Sequence, residues 1–149
     1  INGPFQYPAA SEPLGRYPMI WVAAPSLGLS GPLRTEDLAA HPILTHARGS
    51  WPHRLVADHF HVRSARLVPS SNLAACLQMT VDGMGVAVLP KAMANRELAE
   101  GALVTLDYPW TPDDLDFQAR YQSEKAPGHV AKAASLAAQV ATDFAAVNQ

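Results

Sequence analysis

The sequence predicts an α/β fold built on a largely parallel sheet. Three observations carry that reading. Short apolar runs suited to buried strands alternate with segments of helical periodicity. The joins from strand to helix are polar and rich in capping residues. The chain has 149 residues, 48% hydrophobic and 16% charged, enough for one core of ordinary domain size. Strands alternating with helices at these spacings call for right-handed crossovers between parallel neighbours.

Each element follows from local chemistry. Eight of the 13 prolines fall within the first 52 residues, so that third reads as strands and turns with little helix. Residues 19–24 form an apolar run of strand length, stopped by Pro25, Ser26 and Gly28. Thr35 reads as the N-cap of a short helix over 36–40, with Glu36 and Asp37 where the helix dipole favours acids. Residues 42–45 read as the next strand, and Trp51, Leu55, Val56 and Phe60 fall near helical spacing in a helix over 51–61. The pattern repeats: a strand at 66–68, a turn at 69–72, then Leu73, Cys76, Leu77, Thr80, Val81 and Met84 on one helical face. Gly83 or Gly85 ends that helix, and the β-branched run 86–89 reads as a fully buried strand closed by Pro90. A helix over 92–100 and a strand over 103–106 follow. Leu115, Phe117, Ala119 and Tyr121 alternate with polar residues as in a half-buried strand. A last helix carries Val130, Ala133, Ala137, Val140, Phe144 and Val147 as a narrow stripe suited to close packing on a sheet.

Composition removes several functions. Cys76 is the only cysteine, so internal disulfides and cysteine-based zinc sites are excluded, and a reducing compartment, the cytoplasm, is expected. A net charge of -2 argues against holding nucleic acid by overall charge. No apolar run is long enough to span a bilayer, and no membrane partner is expected. His53, His59 and His61 lie close together near Asp58, but their spacing misses the helical geometry of a two-histidine site, so no metal is expected. No nucleophile elbow, zinc-protease, P-loop or dinucleotide motif occurs, and neither a catalytic residue nor a cofactor is expected.

What remains is a pair of loops. Doubly wound sheets bind small molecules where strand ends lead into helix N-termini. Two such joins are polar here, one carrying Thr45, His46, Arg48 and Ser50, the other Ser70, Ser71 and Asn72. Taken singly, Ser50, Ser71 and Asn72 are explained as caps of their own helices; two loops in corresponding positions favour a shared ligand site. Residues 46–66 hold four arginines, Arg48, Arg54, Arg63 and Arg66, against Asp58 alone. That patch suits an anionic ligand, a solvated face or a subunit contact, and Arg48 is the one inside a loop.

The run LAACLQMTVDGMGVAVLP at 73–90, followed by RELAEGALV at 96–104, resembles the effector-binding domain of LysR-type transcriptional regulators. The run TEDLAAHP at 35–42, a short helix closed by proline ahead of a strand, matches a second feature of that family. The likeness extends over residues 12 to about 145. The resemblance implies a periplasmic-binding-protein-like fold, two α/β lobes with a small effector between them. On that plan 21–89 is lobe two, while 1–20 and 90–149 are crossover segments and the remainder of an incomplete lobe one. Thr45, His46, Arg48, Ser50, Ser71 and Asn72 then line the cleft. The resemblance further implies a homodimer or tetramer, with Trp51, Val56 and Phe60 at a dimer contact. DNA is reached only through a helix-turn-helix not found in these residues, since Ile1 reads as the end of a strand already under way. A solute-binding protein or an enzyme on the same fold is the alternative, and His46 with Asp58 is the one acid-base pair an enzyme would use.

Overall fold

The computed structural model describes residues 10–61, 64–122, 124 and 126–147; Ile1, Pro4, Pro8 and Arg63 of the sequence reading lie outside them. In chain order the elements are β1 (Ala10–Tyr17), β2 (Met19–Ala23), a 3-10 turn at Pro25–Leu27, α1 (Thr35–Ala39), β3 (Ile43–Thr45), α2 (Trp51–Phe60) and β4 (Leu67–Pro69). Then come α3 (Leu73–Val81), β5 (Val86–Pro90), α4 (Lys91–Ala99), β6 (Val104–Thr105), β7 (Leu115–Tyr121) and α5 (Gly128–Val147). The chain divides into a central unit, Pro18–Asp113, and a terminal unit made from both ends, up to Tyr17 and from Asp114 onward.

The central unit holds a five-stranded sheet in the order β4-β3-β5-β2-β6. β3 runs parallel to both β4 and β5, with Ile43 opposite Leu67 on one side and Val86 on the other. β2 runs antiparallel to β5 and to β6. The expectation of a largely parallel sheet is corrected at this point to a mixed one. The crossover from β5 through α4 to β6 leaves one slot, which β2 fills in the opposite direction. Hydrophobic periodicity reports burial and carries no strand direction.

All five residues of β5 are buried, as expected of a strand covered on both faces. One side of the core gathers Val22, Leu44, Cys76, Ala87, Leu89, Ala94 and Leu103. Burial pushes the Cys76 thiol up to about 11, so it sits there as a small hydrophobe. Around Trp21 are packed Phe60 and Tyr108, both edge-on at 5.8 Å between ring centroids. The compact central unit extends past residues 89–90 on these contacts. β6 pairs with β2, Trp21 Nε1 donates to the Trp110 carbonyl at 2.8 Å, and the unit runs on to Asp113.

Three local readings change. Helix α1 begins at Thr35 with Arg34 in the cap position, whose N–H donates to the Asp37 carboxylate at 2.7 Å. The Thr35 hydroxyl is instead 3.0 Å from that of Tyr108. Helix α3 ends at Val81, so Met84 is no part of its apolar face and stands 55% exposed. The turn beyond it needs glycine twice: Gly83 has φ 74°, and a Cβ on Gly85 would come within 2.2 Å of the Pro42 carbonyl oxygen.

In the terminal unit β1 and β7 pair antiparallel, Ala10 opposite Tyr121, with a register shift between Pro13 and Gly15. Helix α5 packs on both strands. Its buried side is rotated from the expected stripe. Ala134 is buried with Ala138 and Ala141 half-buried, whereas Ala133, Ala137, Val140 and Phe144 are exposed. Phe117, expected on the half-buried face of β7, is 40% exposed and meets Tyr17 edge-on.

Candidate functional site

Thr45 closes β3 opposite Pro69 at the end of β4, and the Ser70 N–H donates to the Thr45 carbonyl at 2.9 Å. The two polar loops therefore leave neighbouring parallel strands at the same end, joined by a backbone hydrogen bond. Each runs directly into a helix. Ser50 caps α2 by accepting from the His53 N–H at 3.4 Å, with Pro52 in the first turn where no N–H is missed. Asn72 caps α3, its side-chain oxygen accepting from the N–H groups of Ala74 and Ala75 at 3.0 and 3.2 Å. Ser70 completes the turn, donating to the Asn72 carbonyl at 3.0 Å and accepting from its N–H at 3.2 Å.

This geometry sorts the six residues singled out from sequence. Arg48 and Ser71 are exposed at the loop surface. Ser50 and Asn72 commit their side-chain oxygens to capping. Thr45 is wholly buried: its hydroxyl lies 2.9 Å from His53 Nδ1 and 3.3 Å from the His46 carbonyl. His46 is 7% exposed, and its Nε2 is buried with no hydrogen-bond partner. Burial lowers its pKa, against which a hydrogen bond to the Val88 backbone works. Such an unpaired buried atom costs roughly 1–3 kcal/mol.

His53 is the residue the sequence undervalues. It is singled out there only as a metal candidate, and among the described residues no three His, Cys, Asp or Glu side chains gather to hold a metal. The structure buries it in the first turn of α2 against Thr45. Burial first, then the positive charge of Arg48, holds its imidazole below the usual range. The i, i+8 spacing of Thr45 and His53 across a strand, a loop and a helix start has no signature in a linear pattern.

Two of the expected interface residues are corrected. Val56 is wholly buried and Phe60 is 2% exposed, so both fill the central core and offer no apolar area to a second copy. Helical spacing alone does not say which face looks inward. Trp51 is 49% exposed, with the Arg54 guanidinium 5.6 Å from its ring. Further along α2, His59 stacks on Trp110 at 3.8 Å and its Nε2 is 2.5 Å from the Tyr108 hydroxyl. His46 and Asp58 are not brought together: one is buried in the loop, the other exposed on α2.

Paired polar loops at the carboxyl ends of neighbouring parallel strands, in a two-unit α/β chain, define a small-molecule-binding domain of the periplasmic-binding-protein-like class. The profile of the LysR substrate binding domain matches residues 2–141. The chain belongs to that family, the effector-binding domain of LysR-type transcriptional regulators. It is 30% identical over 115 residues to the HTH-type transcriptional regulator PtxR of Pseudomonas aeruginosa, a match covering 73% of this chain and 37% of that protein. The chain thus spans little more than a third of the length of that relative. The regulatory domain of HypT from Salmonella typhimurium, with bromide bound, has a TM-score of 0.72 at 19% identity, covering 93% of this chain and 67% of that one. The regulatory domain of CcmR from Synechocystis PCC6803, in complex with 2-PG, has a TM-score of 0.69 at 18% identity, covering 94% and 70%. At these identities the two structures establish the fold. Among the described residues no helix is long and apolar enough to cross a membrane.

Proposed function

We propose that this chain senses a small anionic effector at the joined loops after β3 and β4, within the regulatory domain of a LysR-type transcription factor. The observation that carries the reading is the hydrogen bond from the Ser70 N–H to the Thr45 carbonyl, which holds two helix N-termini side by side with Arg48 exposed between strand and helix. Helix N-termini and a guanidinium both favour negative charge. Arg48 and Ser71 are the direct contacts in this reading. Ser50 and Asn72 set the helix starts, and Thr45 with His46 fixes the shape of the first loop. Bromide in HypT and 2-PG in CcmR agree with a regulatory domain that accepts small ligands. The central unit is lobe two on this reading. DNA binding belongs to a helix-turn-helix elsewhere in the regulator, and effector occupancy acts on it by shifting populations of the oligomer. The domain carries no catalytic residue in this account.

A thermal-shift panel of small carboxylates and phosphates, beside uncharged analogues, tests the reading on the full chain. An anion present at about 100 times its Kd should stabilise the protein by about 2.7 kcal/mol. Ser71→Ala should weaken its binding by about 0.5–1.5 kcal/mol, and Arg48→Ala by about 1.5–3 kcal/mol because the lost partner is charged. Equal protection of both variants and the parent by the same anion would remove these loops from the binding site.

A further inference from the structure

We propose that anion binding at these loops is coupled to proton uptake at His53: an anion seated against Arg48 draws a proton onto the imidazole that Thr45 holds, so the anion binds tighter as pH falls. The inference rests on the loops being the effector site and adds the regulation of that site.

Three features of the structure support it. The first is the Thr45 hydroxyl, which has two partners within reach, His53 Nδ1 at 2.9 Å and the His46 carbonyl at 3.3 Å. When His53 is neutral with its proton on Nε2, the hydroxyl donates to Nδ1. When His53 is protonated, Nδ1–H donates to the hydroxyl oxygen, which turns its own proton to the His46 carbonyl. One rotation of one hydroxyl serves both states, and no buried donor loses its acceptor. The proton arrives from solvent, and no covalent bond changes.

The second feature is the charge around the imidazole. Burial and, after it, the positive charge of Arg48, on the loop that leads into α2, both disfavour the imidazolium of His53. An anion against Arg48 cancels the repulsion and adds attraction of its own, and an opposite charge within roughly 4–6 Å shifts such a group by about 1–3 units. His46, the other neighbour of Thr45, is held low by burial, with the Val88 backbone hydrogen bond working against it.

The third feature is anchorage. His53 is fixed at its backbone by Ser50, at its ring by Thr45, and Thr45 is fixed to the second loop by Ser70. The buried Nε2 of His46, which has no hydrogen-bond partner, lies in the same loop. His53 is thus a positioning residue whose protonation state reports occupancy of the site.

Sulfate is the probe, because its charge is constant across the range in which histidine titrates. Its affinity for the full chain is followed by amide shifts at about pH 5.5 and about pH 7.5, on either side of the ordinary histidine value of about 6.5. The His53 ring nitrogens are followed in the same samples. Sulfate is expected to raise the His53 midpoint by about one unit, equivalent to about a tenfold tighter sulfate Kd at the acid end. His53→Gln should bind sulfate with equal affinity at both pH values, and Arg48→Gln should lose the sulfate response. If His53→Gln does not fold, the His53 midpoint in the parent chain with and without sulfate decides alone. Shifts at residues 46–50 and 70–72 with no pH dependence and an unmoved His53 midpoint would overturn the coupling while leaving the site in place. No shift at either loop would remove the site and the coupling together.

Discussion

The central and terminal units are built from the same kinds of element and differ in how far each closes its core. In the central unit β3 and β5 are buried throughout and helices flank the sheet. In the terminal unit two strands pair with one another and α5 lies on them, with Leu115 and Ala134 the buried hydrophobic residues there among those described. Leu136 and Val140 are 61% and 59% exposed on α5. A two-stranded sheet is marginal by itself, whereas a five-stranded one with both faces covered resists opening. The lesson for function is that both polar loops stand on the rigid unit. Their geometry is set by the buried strands β3 and β5 from which the central sheet is built.

The largest expected effect sharpens that contrast. Leu44→Ala removes a side chain 1% exposed on the buried strand β3 and should cost about 2–5 kcal/mol. Leu136→Ala on α5 should stay within about 0.5 kcal/mol. Urea unfolding followed at both units measures the difference, and comparable losses would show that α5 is packed as tightly as β3.

A smaller effect concerns pH. His46, His53 and His59 all belong to the central unit, and burial lowers the pKa of each. A base whose folded-state value is depressed takes up protons more readily when unfolded. Its contribution to stability is therefore complete above about 6.5 and is lost as pH falls from there through the folded-state values. Urea midpoints of the central unit should decline over that window in the apo protein, and removing His59 by His59→Gln should flatten the decline in part. A central unit that gains stability on acidification through the window would contradict the burial of these imidazoles.

Much of the fold was legible because it rests on local chemistry. The run 86–89 declared a buried strand, and Asn72 and Ser50 declared helix starts, since β-branched content and capping oxygens act within a few residues. The direction of β2 was not legible, because pairing with β5 and β6 is settled by which slot the crossover leaves open. The two polar loops were legible in the sequence, and their wiring was not. Nothing in the linear pattern tells that Thr45 faces inward to His53, or that Val56 and Phe60 face the core while Trp51 stays outside. Helical spacing gives the faces of a helix and leaves open which of them the rest of the chain covers.

The central claim is that an effector binds where the β3 and β4 loops meet. The most direct measurement is an amide chemical-shift map of the full chain with the anion that raises its melting temperature most. The account predicts the largest changes at residues 46–50 and 70–72, with His53 among them and little change on α5. Changes confined to β1, β7 and α5, with both loops unmoved, would contradict it.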